Sequence, residues 1–179
     1  CFARLNEGIN RATRLVQQLL TLARLDPDAS KKPMSTIHLD ALIASIRDDM
    51  APIAEQKDII ITASASPAQI DGMEDAIRLM ITNLTDIELS SSIVNGRSVV
   101  RVSDNGPGIA PDERARVFDR FYRALGTKTS GTGLGLAIVK RIVDIHHGTV
   151  TIEDGLDGRG TSFVLSFPPL GASCPEESV

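Results

Sequence analysis

Tryptophan is absent from this chain of 179 residues, and aromatic side chains make up only 3% of it. Hydrophobic residues still account for 42% of the sequence, so a core can form, but aliphatic side chains must fill most of it. Cysteine occurs only at Cys1 and Cys174, close to the two termini. So few cysteines argue against a disulfide framework or a structural zinc site, and they fit a reducing compartment.

Positive charge is also scarce, because 23 acidic residues outnumber 19 basic ones and give a formal net charge of −4. Nucleic-acid-binding proteins usually carry a basic face, so we expect no nucleic-acid partner. No apolar run approaches the roughly 20 residues that a membrane-spanning helix needs. A signal-peptide pattern is missing too, and because the first residue is Cys1 rather than Met, we expect a fragment of a longer protein.

Several catalytic signatures are missing as well. The glycine turn at residues 131–135 is spaced Gly-x-Gly-x-Gly, unlike the G-x-G-x-x-G of dinucleotide-binding folds, and no strand immediately precedes it. A G-x-x-x-x-G-K-[ST] phosphate loop, a G-x-S-x-G nucleophile elbow and a Cys/His zinc cluster are absent. His146 and His147 stand before Gly148 at a predicted helix end, where cations are favoured, so we interpret them as a feature of that terminus.

Two glycine-rich turns, at residues 104–109 and 131–136, flank a polar and basic segment. Glycine allows the backbone to touch a ligand directly, and a glycine turn that opens a helix directs free N–H groups towards a phosphate. Asp104 begins the first turn and could accept hydrogen bonds from an exocyclic amine, although alone it could equally belong to an ordinary Asp-Asn-Gly turn. With both turns present, the pattern predicts a nucleotide site, with the base at one end and the phosphates at the other.

Residues 1–26 have the spacing of one long amphipathic helix. Its apolar seam alternates steps of four and three residues, at Leu5, Ile9, Ala12, Val16, Leu19 and Ala23. Such a helix either packs on its own domain or forms half of a dimerising helical hairpin, and the polar linker predicted at 27–36 favours the hairpin. A main domain is predicted at 37–168, followed by a polar tail at 169–179 that we expect to be disordered.

The main domain alternates predicted helices and strands. Asp40 should cap the first helix, which Pro52 should kink or interrupt, and Pro111 suits the first turn of a short helix. Asn95-Gly96 is a strong signal for a hairpin turn. The other predicted elements are strands at 59–62, 87–89, 98–102, 149–152 and 163–167 and helices at 73–84 and 134–143. This order predicts an α+β fold with two layers.

Four motifs resemble, in order, those of two-component sensor histidine kinases. They are Asp104–Ile109, similar to the first glycine box, Phe118–Arg123, similar to the F box, Gly131–Leu136, similar to the second glycine box, and Gly158–Phe163, similar to the last glycine-containing box. Asn83–Asp86 resembles the first half of the N box of that family. The helix at 1–26 resembles the second helix of the dimerisation and phosphotransfer hairpin, so the resemblance covers nearly the whole chain.

This resemblance implies a Bergerat-type ATP-binding domain, which is a two-layer α/β sandwich with a mixed sheet and helices on one face. Asp104 would accept the hydrogens of the adenine amine, and Thr161 would lie near the adenine. A mobile lid would span 119–133, with Arg123 and Lys128 reaching the phosphates. The residues implied to bind the nucleotide are Asp104, Gly106, Gly108, Ile109, Tyr122, Arg123, Lys128, Gly131, Thr132, Gly133, Leu134, Gly135, Leu136 and Thr161.

The implied cofactors are ATP and Mg2+, and Asn83 is implied to be both a catalytic residue and a metal ligand. The γ-phosphate would pass to a histidine and then to an aspartate of a response regulator, and such transfers rely mostly on positioning and charge neutralisation. The resemblance also implies a homodimer formed through the N-terminal helix. It further implies a cytoplasmic domain of a bacterial sensor that upstream segments anchor in the membrane.

The chain departs from the family pattern in two places. No histidine stands in an H-[ED]-x-x-[TS]-P context, so we expect the phosphate-accepting histidine to lie upstream of residue 1. The N box breaks after Asp86, because the family continues with a metal-binding Asn-Ala whereas Ile87 and Glu88 follow here. Either the kinase is degenerate or a segment is missing between Asp86 and Ile87, and we favour the second because no turn residues separate the predicted helix from the predicted strand.

Two rival functions follow from these departures. One is an ATPase of the wider GHKL superfamily of gyrases, mismatch-repair proteins and chaperones, which uses a glutamate base where this chain has Asn83. The other is a non-catalytic pseudokinase that serves for docking or dimerisation. Of the three, the histidine kinase domain accounts best for the motifs.

Overall fold

The computed structural model of the protein describes residues 12–13, 16, 18, 20–21, 34–55, 61–84, 88–123 and 132–171. The six described residues between 12 and 21 are helical, as the heptad pattern predicts. The expectations for Lys128, Gly131 and the junction between Asp86 and Ile87 lie outside the described residues. Within the part of the chain that the structure covers, no helix is long and apolar enough to cross a membrane.

Helices and strands of the main domain follow one another in an α+β order. Along residues 34–171 they are β1 (Ser35–His38), α1 (Leu39–Glu55), β2 (Thr62–Ala65), β3 (Gln69–Gly72), α2 (Glu74–Asn83), β4 (Glu88–Val94), β5 (Arg97–Ser103), a 3-10 helix (Arg116–Phe118), α3 (Gly135–Ile145), β6 (Thr149–Asp154), a second 3-10 helix (Leu156–Gly158) and β7 (Thr161–Phe167). One sheet has the order β2-β4-β5-β7-β6, in which β2 runs parallel to β4 and the other pairs are antiparallel, while β1 and β3 form a separate antiparallel pair. The predicted α+β class with a mixed sheet is confirmed.

The five-stranded sheet buries one face against the helices. Along β5, Ser98, Val100 and Val102 are buried and the residues between them are half-buried, which is the alternation of an antiparallel sheet with one covered face. The largest fully buried side chains are Leu39, Ile43, Ile46, Ile70, Ile77, Met80, Ile81, Leu84, Leu134, Ile138, Ile142 and Phe167. Aliphatic side chains dominate this set, as the scarcity of aromatic residues predicts.

β4 and β5 form the predicted hairpin around Asn95 and Gly96. Asn95 has a φ of 51° and Gly96 a φ of 76°, which is the left-handed pair that a two-residue type I′ turn requires. The register pairs Glu88, the first residue of β4, with Ser103, the last residue of β5. The hairpin therefore brings the start of β4 next to the end of β5, where Asp104 follows.

Two predictions about α1, the cap at Asp40 and the interruption at Pro52, differ from the structure. Asp40 is not the N-cap, because the helix already begins at Leu39, whose N–H donates to the carbonyl of Ala68 at 2.9 Å. A backbone partner thus replaces the expected side-chain cap. Pro52 does not interrupt the helix, which continues to Glu55. The proline lies on an exposed part of the last turns, where water can reach the carbonyl that loses its N–H partner.

β1 and β3 are absent from the predicted elements, and the first two residues of β1 fall in the predicted linker. Each strand has only four residues and is largely polar, so the periodicity is weak. They become strands because they pair with each other, with Ile37 opposite Ile70 and both side chains buried. Residues 59 and 60 of the strand predicted at 59–62 lie outside the described residues, and the described strand is Thr62–Ala65, beside β4. The short helix predicted at Pro111 is a turn followed by the 3-10 helix.

His146, the C-cap residue of α3, is a buried neutral histidine. Its Nε2 accepts the backbone N–H of Met73 at 3.0 Å, so its Nδ1 carries the proton and donates to the carbonyl of Ile142 at 2.7 Å. Burial lowers the pKa of His146 below its ordinary 6.5, against the opposing effect of the bond to Ile142. The interpretation of His146 as a feature of the helix terminus is confirmed, but the residue acts there as a neutral ring that joins the end of α3 to the start of α2.

We expect the free energy of unfolding to fall as the pH is lowered below about 6.5. Because the pKa of His146 is lower in the folded protein, the unfolded chain binds more protons in this range, so acid favours unfolding. Above this range the stabilisation is fully present. Urea unfolding between about pH 7.5 and about pH 5 tests this, with His146→Gln as a variant that cannot titrate. Equal pH slopes for the two proteins would contradict the expectation.

Candidate functional site

Asp104 lies directly after β5, and backbone groups hold its carboxylate. Oδ1 accepts the N–H groups of Gly106 at 2.7 Å and of Thr161 at 3.3 Å. The N–H of Asp104 in turn donates to the carbonyl of Thr161 at 2.8 Å. Among the described residues nothing donates to Oδ2, so the protein orients one carboxylate oxygen and leaves the other available to a ligand.

Three glycines make this arrangement possible. Gly160 has a φ of +75°, and a Cβ there would overlap the carbonyl of Asp104 and lie 2.6 Å from its Oδ1. Gly108 has a φ of +78°, and its Cβ would lie 2.9 Å from the carbonyl oxygen of Gly160. At Gly155 a Cβ would lie 2.6 Å from the nitrogen of Thr161. The turns at 104–109 and 155–160 therefore interlock around Asp104 without room for side chains.

Neither Gly155 nor Gly160 is among the predicted binding residues. Gly160 lies in the motif at 158–163, which was an available signal, whereas Gly155 belongs to none of the motifs. Their importance is steric, and it arises because β7 pairs with β5 and carries the preceding turn against Asp104. The local sequence around these glycines does not show that the turn at 155–160 lies against Asp104.

The second glycine turn meets the end of α2. α3 begins at Gly135, after Gly133 with a φ of +71° and the buried Leu134. Asn83, the last residue of α2, donates through Nδ2 to the carbonyl of Leu79 at 2.8 Å, and its Oδ1 lies 3.3 Å from where a Cβ of Gly135 would be. The side-chain oxygen of Asn83 therefore faces the start of α3, where free N–H groups favour an anion.

Asp104 follows the end of β5, next to the start of β4. Asn83 ends α2, and β4 begins five residues later at Glu88, which pairs with Ser103. Ser103 immediately precedes Asp104. That Asp104 and the start of α3 belong to one nucleotide site stays a prediction of the two glycine turns.

The F-box segment contacts the second glycine turn and the residues that precede the 3-10 helix or lie in it. The N–H of Phe121 donates to the carbonyl of Gly133 at 2.8 Å. The hydroxyl of Tyr122 donates to Glu113 at 3.1 Å, and the guanidinium carbon of Arg116 lies 4.7 Å from the centre of the Tyr122 ring. Burial, with a further contribution from Glu113, raises the pKa of the Tyr122 phenol above its ordinary 10.0. The structure therefore uses the Tyr122 hydroxyl to hold the 3-10 segment.

The N-terminal helix also reaches the second glycine turn. The hydroxyl of Thr132 donates to the Oε1 of Gln18 at 2.5 Å. Ala12 and Val16, the two residues of the predicted seam that the structure describes, are exposed, Val16 by 55%, which is the exposure expected of a seam that packs against another helix. One side of this helix therefore contacts the second glycine turn, while the described residues of its apolar seam are exposed.

Known proteins match the chain along most of its length. Residues 68–171 match the family described as Histidine kinase-, DNA gyrase B-, and HSP90-like ATPase. The sensor protein kinase PmrB of Pseudomonas aeruginosa is 33% identical over 175 residues, which covers 91% of this chain and 37% of PmrB. The sensor protein QseC of Escherichia coli K12 is 38% identical over 164 residues, covering 86% of this chain and 36% of QseC. The chain thus spans little more than a third of the length of these relatives.

A solved structure supports the same assignment. Full-length ShkA, crystallised in complex with AMPPNP, matches with a TM-score of 0.77 and 31% identity over 93% of this chain and 37% of ShkA. The region matched by the family contains Asp104, both glycine turns and Asn83. The chain therefore belongs to the family of histidine kinase-, DNA gyrase B- and HSP90-like ATPases, as an ATP-binding catalytic domain of the sensor histidine kinase type.

Proposed function

We propose that the chain binds ATP in a site formed by the end of β5 and the start of α3, with the adenine amine at Asp104 and the phosphates at the start of α3. The observation that carries the proposal is the carboxylate of Asp104, whose Oδ1 is held by two backbone N–H groups while Oδ2 has no donor among the described residues. The adenine amine can donate to that oxygen. A hydrogen bond to a charged group contributes about 1.5–3 kcal/mol.

The remaining predicted residues divide between the two ends of the proposed site. Three groups can be distinguished. The first contains residues near Asp104 in the first glycine turn or in β7, namely Gly106, Gly108, Ile109 and Thr161. The second leads into α3 and contains Thr132, Gly133, Leu134, Gly135 and Leu136, and the third is the end of the F-box segment, Tyr122 and Arg123. Bare glycine backbone at both ends lets the nucleotide approach N–H groups directly. We propose that the residues near Asp104 bind the base. The residues at the start of α3 and the end of the F-box segment would bind the phosphates.

The family implies a magnesium ion with the ATP, and the residues present fit one. No cluster of three His, Cys, Asp or Glu side chains occurs among the described residues. Mg2+ prefers oxygen ligands and is usually held by one or two protein groups together with substrate phosphates. The Oδ1 of Asn83 faces the start of α3 and would supply such a group. When bound, the ion would neutralise charge on the phosphates.

In the proposed reaction the γ-phosphate moves to a histidine of a dimerisation hairpin. Residues of this chain would hold the adenine and align the phosphates, which is the larger part of catalysis in phosphoryl transfer. The hydrogen bond from Thr132 to Gln18 joins the N-terminal helix to the second glycine turn and supports this arrangement. We propose that this helix forms the homodimer, that a response regulator receives the phosphate, and that upstream segments attach the cytoplasmic domain to a membrane.

Calorimetric titration of the 179-residue protein with ATP, in Mg2+ and then in EDTA, tests this function. We expect ATP to bind in the presence of Mg2+ and to bind more weakly without it. Labelled phosphate should then pass from ATP to a supplied hairpin protein that carries the acceptor histidine. A folded protein without affinity for ATP would overturn the proposal.

A second candidate function is a degenerate kinase that serves for docking or dimerisation. The coverage of 91% corresponds to about 163 of the 179 residues, whereas the alignment with PmrB spans 175. PmrB therefore has about a dozen positions without a counterpart in this chain. Positions lost after Asp86 would remove a metal ligand of the N box. Binding of ATP that does not depend on Mg2+, without phosphate transfer, would favour this candidate.

A further inference from the structure

We propose that Arg114 is a positioning residue for the adenine end of the site, a role that rests on the ATP-binding function proposed above. Arg114 lies between the first glycine turn and the F box and belongs to none of the motifs. All three nitrogens of its guanidinium are engaged. Nε donates to the carbonyl of Ile109 at 3.2 Å, Nη1 to the carbonyl of Ile152 at 3.3 Å, and Nη2 to the carboxylate of Asp154 at 2.5 Å.

These contacts fasten the free end of the first glycine turn to the sheet. Asp104, at one end of the turn, is held by the backbone of Thr161 in β7. Ile109, at the other end, is held by Arg114, which is bonded to β6. Asp154 of β6 is the ladder partner of Thr161. Arg114 therefore completes a closed path from Ile109 through two paired strands to Asp104, so the two ends of the turn keep a fixed separation.

The shape of the side chain matters for this role. A guanidinium is a planar group with donors in fixed directions, so it can serve two carbonyls and one carboxylate at once. A lysine ammonium retains the positive charge but concentrates it on one nitrogen. It therefore cannot donate hydrogen bonds to these three acceptors from the positions of the guanidinium nitrogens. The Arg114 side chain is 27% exposed, so the two carbonyls that it serves lie in a partly buried position where an unmade hydrogen bond is unfavourable.

Loss of these bonds should act on the base more than on the phosphates. Ile109 packs against the core from its half-buried position, and Arg114 fixes its carbonyl. Without Arg114, the turn at 106–109 would have to be ordered by the nucleotide, which reduces the net binding free energy. The proposed phosphate end, at the start of α3, lies against Asn83, and the three hydrogen bonds of Arg114 go elsewhere, to Ile109, Ile152 and Asp154.

A neighbouring ion pair provides a matched control. Arg101 of β5 donates to Glu153, the residue before Asp154 in β6, at 2.8 Å. Both side chains are more exposed than that of Arg114, at 42% and 52%. Arg101→Ala removes a guanidinium–carboxylate contact to the same strand, but this contact does not involve the turn at 104–109.

The test compares the affinities of the 179-residue protein for ATP and for ITP, which has a carbonyl in place of the adenine amine. The wild type should prefer ATP. Arg114→Ala and Arg114→Lys should each weaken ATP binding about tenfold, the size of one or two net hydrogen bonds, and should reduce the ratio of ATP to ITP affinity. Arg101→Ala should match the wild type in both measurements.

Each outcome decides between distinct conclusions. If Arg114→Lys folds and keeps both the ATP affinity and the ATP to ITP ratio, the positioning role is overturned while the ATP site stands. Equal losses for ATP and ITP, accompanied by lower thermal stability, would also overturn it, because they indicate general destabilisation. A wild-type protein that binds neither nucleotide overturns the proposed function itself.

Discussion

Replacement of Asp104 by asparagine should weaken ATP binding by about 10- to 100-fold. Asparagine can still present an oxygen to the N–H groups of Gly106 and Thr161, so the turn can keep its shape. Its amide nitrogen would then occupy the Oδ2 position and place a donor opposite the donors of the adenine amine. Calorimetric titration with ATP in Mg2+ measures the change directly.

The control for this substitution is Asp48→Asn, which makes the same chemical change on an exposed part of α1. Asp48 is paired only with the adjacent Arg47 among the contacts described, on the surface of the domain. Its substitution should leave the ATP affinity unchanged. If the Asp104→Asn protein is folded and also binds ATP with wild-type affinity, the carboxylate does not recognise the base.

Replacement of Gly160 by alanine should both destabilise the protein and remove most of its ATP binding. The φ of +75° is a left-handed conformation, which costs an alanine roughly 1–2 kcal/mol. The new Cβ would also overlap the carbonyl of Asp104 and approach its Oδ1. Overpacking of a tight site adds about 1–3 kcal/mol, and any relief must displace the carboxylate. Urea unfolding and ATP titration measure the two effects.

Gly158 offers a matched control for this steric effect. Its φ is +74°, and a Cβ there would meet no atom within 4 Å. Gly158→Ala therefore introduces the same left-handed alanine without the overlap. We expect it to lose stability by the conformational term alone and to bind ATP like the wild type. Equal loss of stability in the two variants would show that the contact with Asp104 is not the cause.

The elements with strong local signals were predictable. Asn95-Gly96 requires positive φ at two successive residues, and few turns other than a hairpin satisfy it. α3 shows a continuous apolar pattern after a glycine turn, and its predicted core at 134–143 falls within one or two residues of the observed helix. In these cases the chemistry of neighbouring residues is sufficient, because the interactions that form the element lie within a few positions.

Other elements could not be predicted because their partners are distant in sequence. β1 and β3 each contain four mostly polar residues and form only by pairing with one another. The N–H of Leu39 is satisfied by Ala68, which makes the expected side-chain cap at Asp40 unnecessary. His146 similarly titrates as a buried ring because Met73 and Ile142 surround it.

The residues of the candidate site also divide into those that motifs identify and those that only the packing identifies. The motifs alone identify Asp104 and the two glycine turns, since glycine at such spacing is required wherever backbone must contact a ligand. They do not identify Gly155 or Arg114, whose roles depend on strands that return from elsewhere in the chain. A carboxylate with one oxygen held and one free is likewise a feature of packing.

The sequence by itself determined the chemical groups at the site and the family to which the chain belongs, because these depend on residue type and spacing. The tertiary structure decided which oxygen of Asp104 is free, which glycines have no room for a side chain, and which arginine holds the turn. These properties depend on atoms from β5, β6 and β7 meeting at one edge of a sheet. Hydrogen bonds and steric overlap act over a few ångströms in space, whatever the separation in sequence.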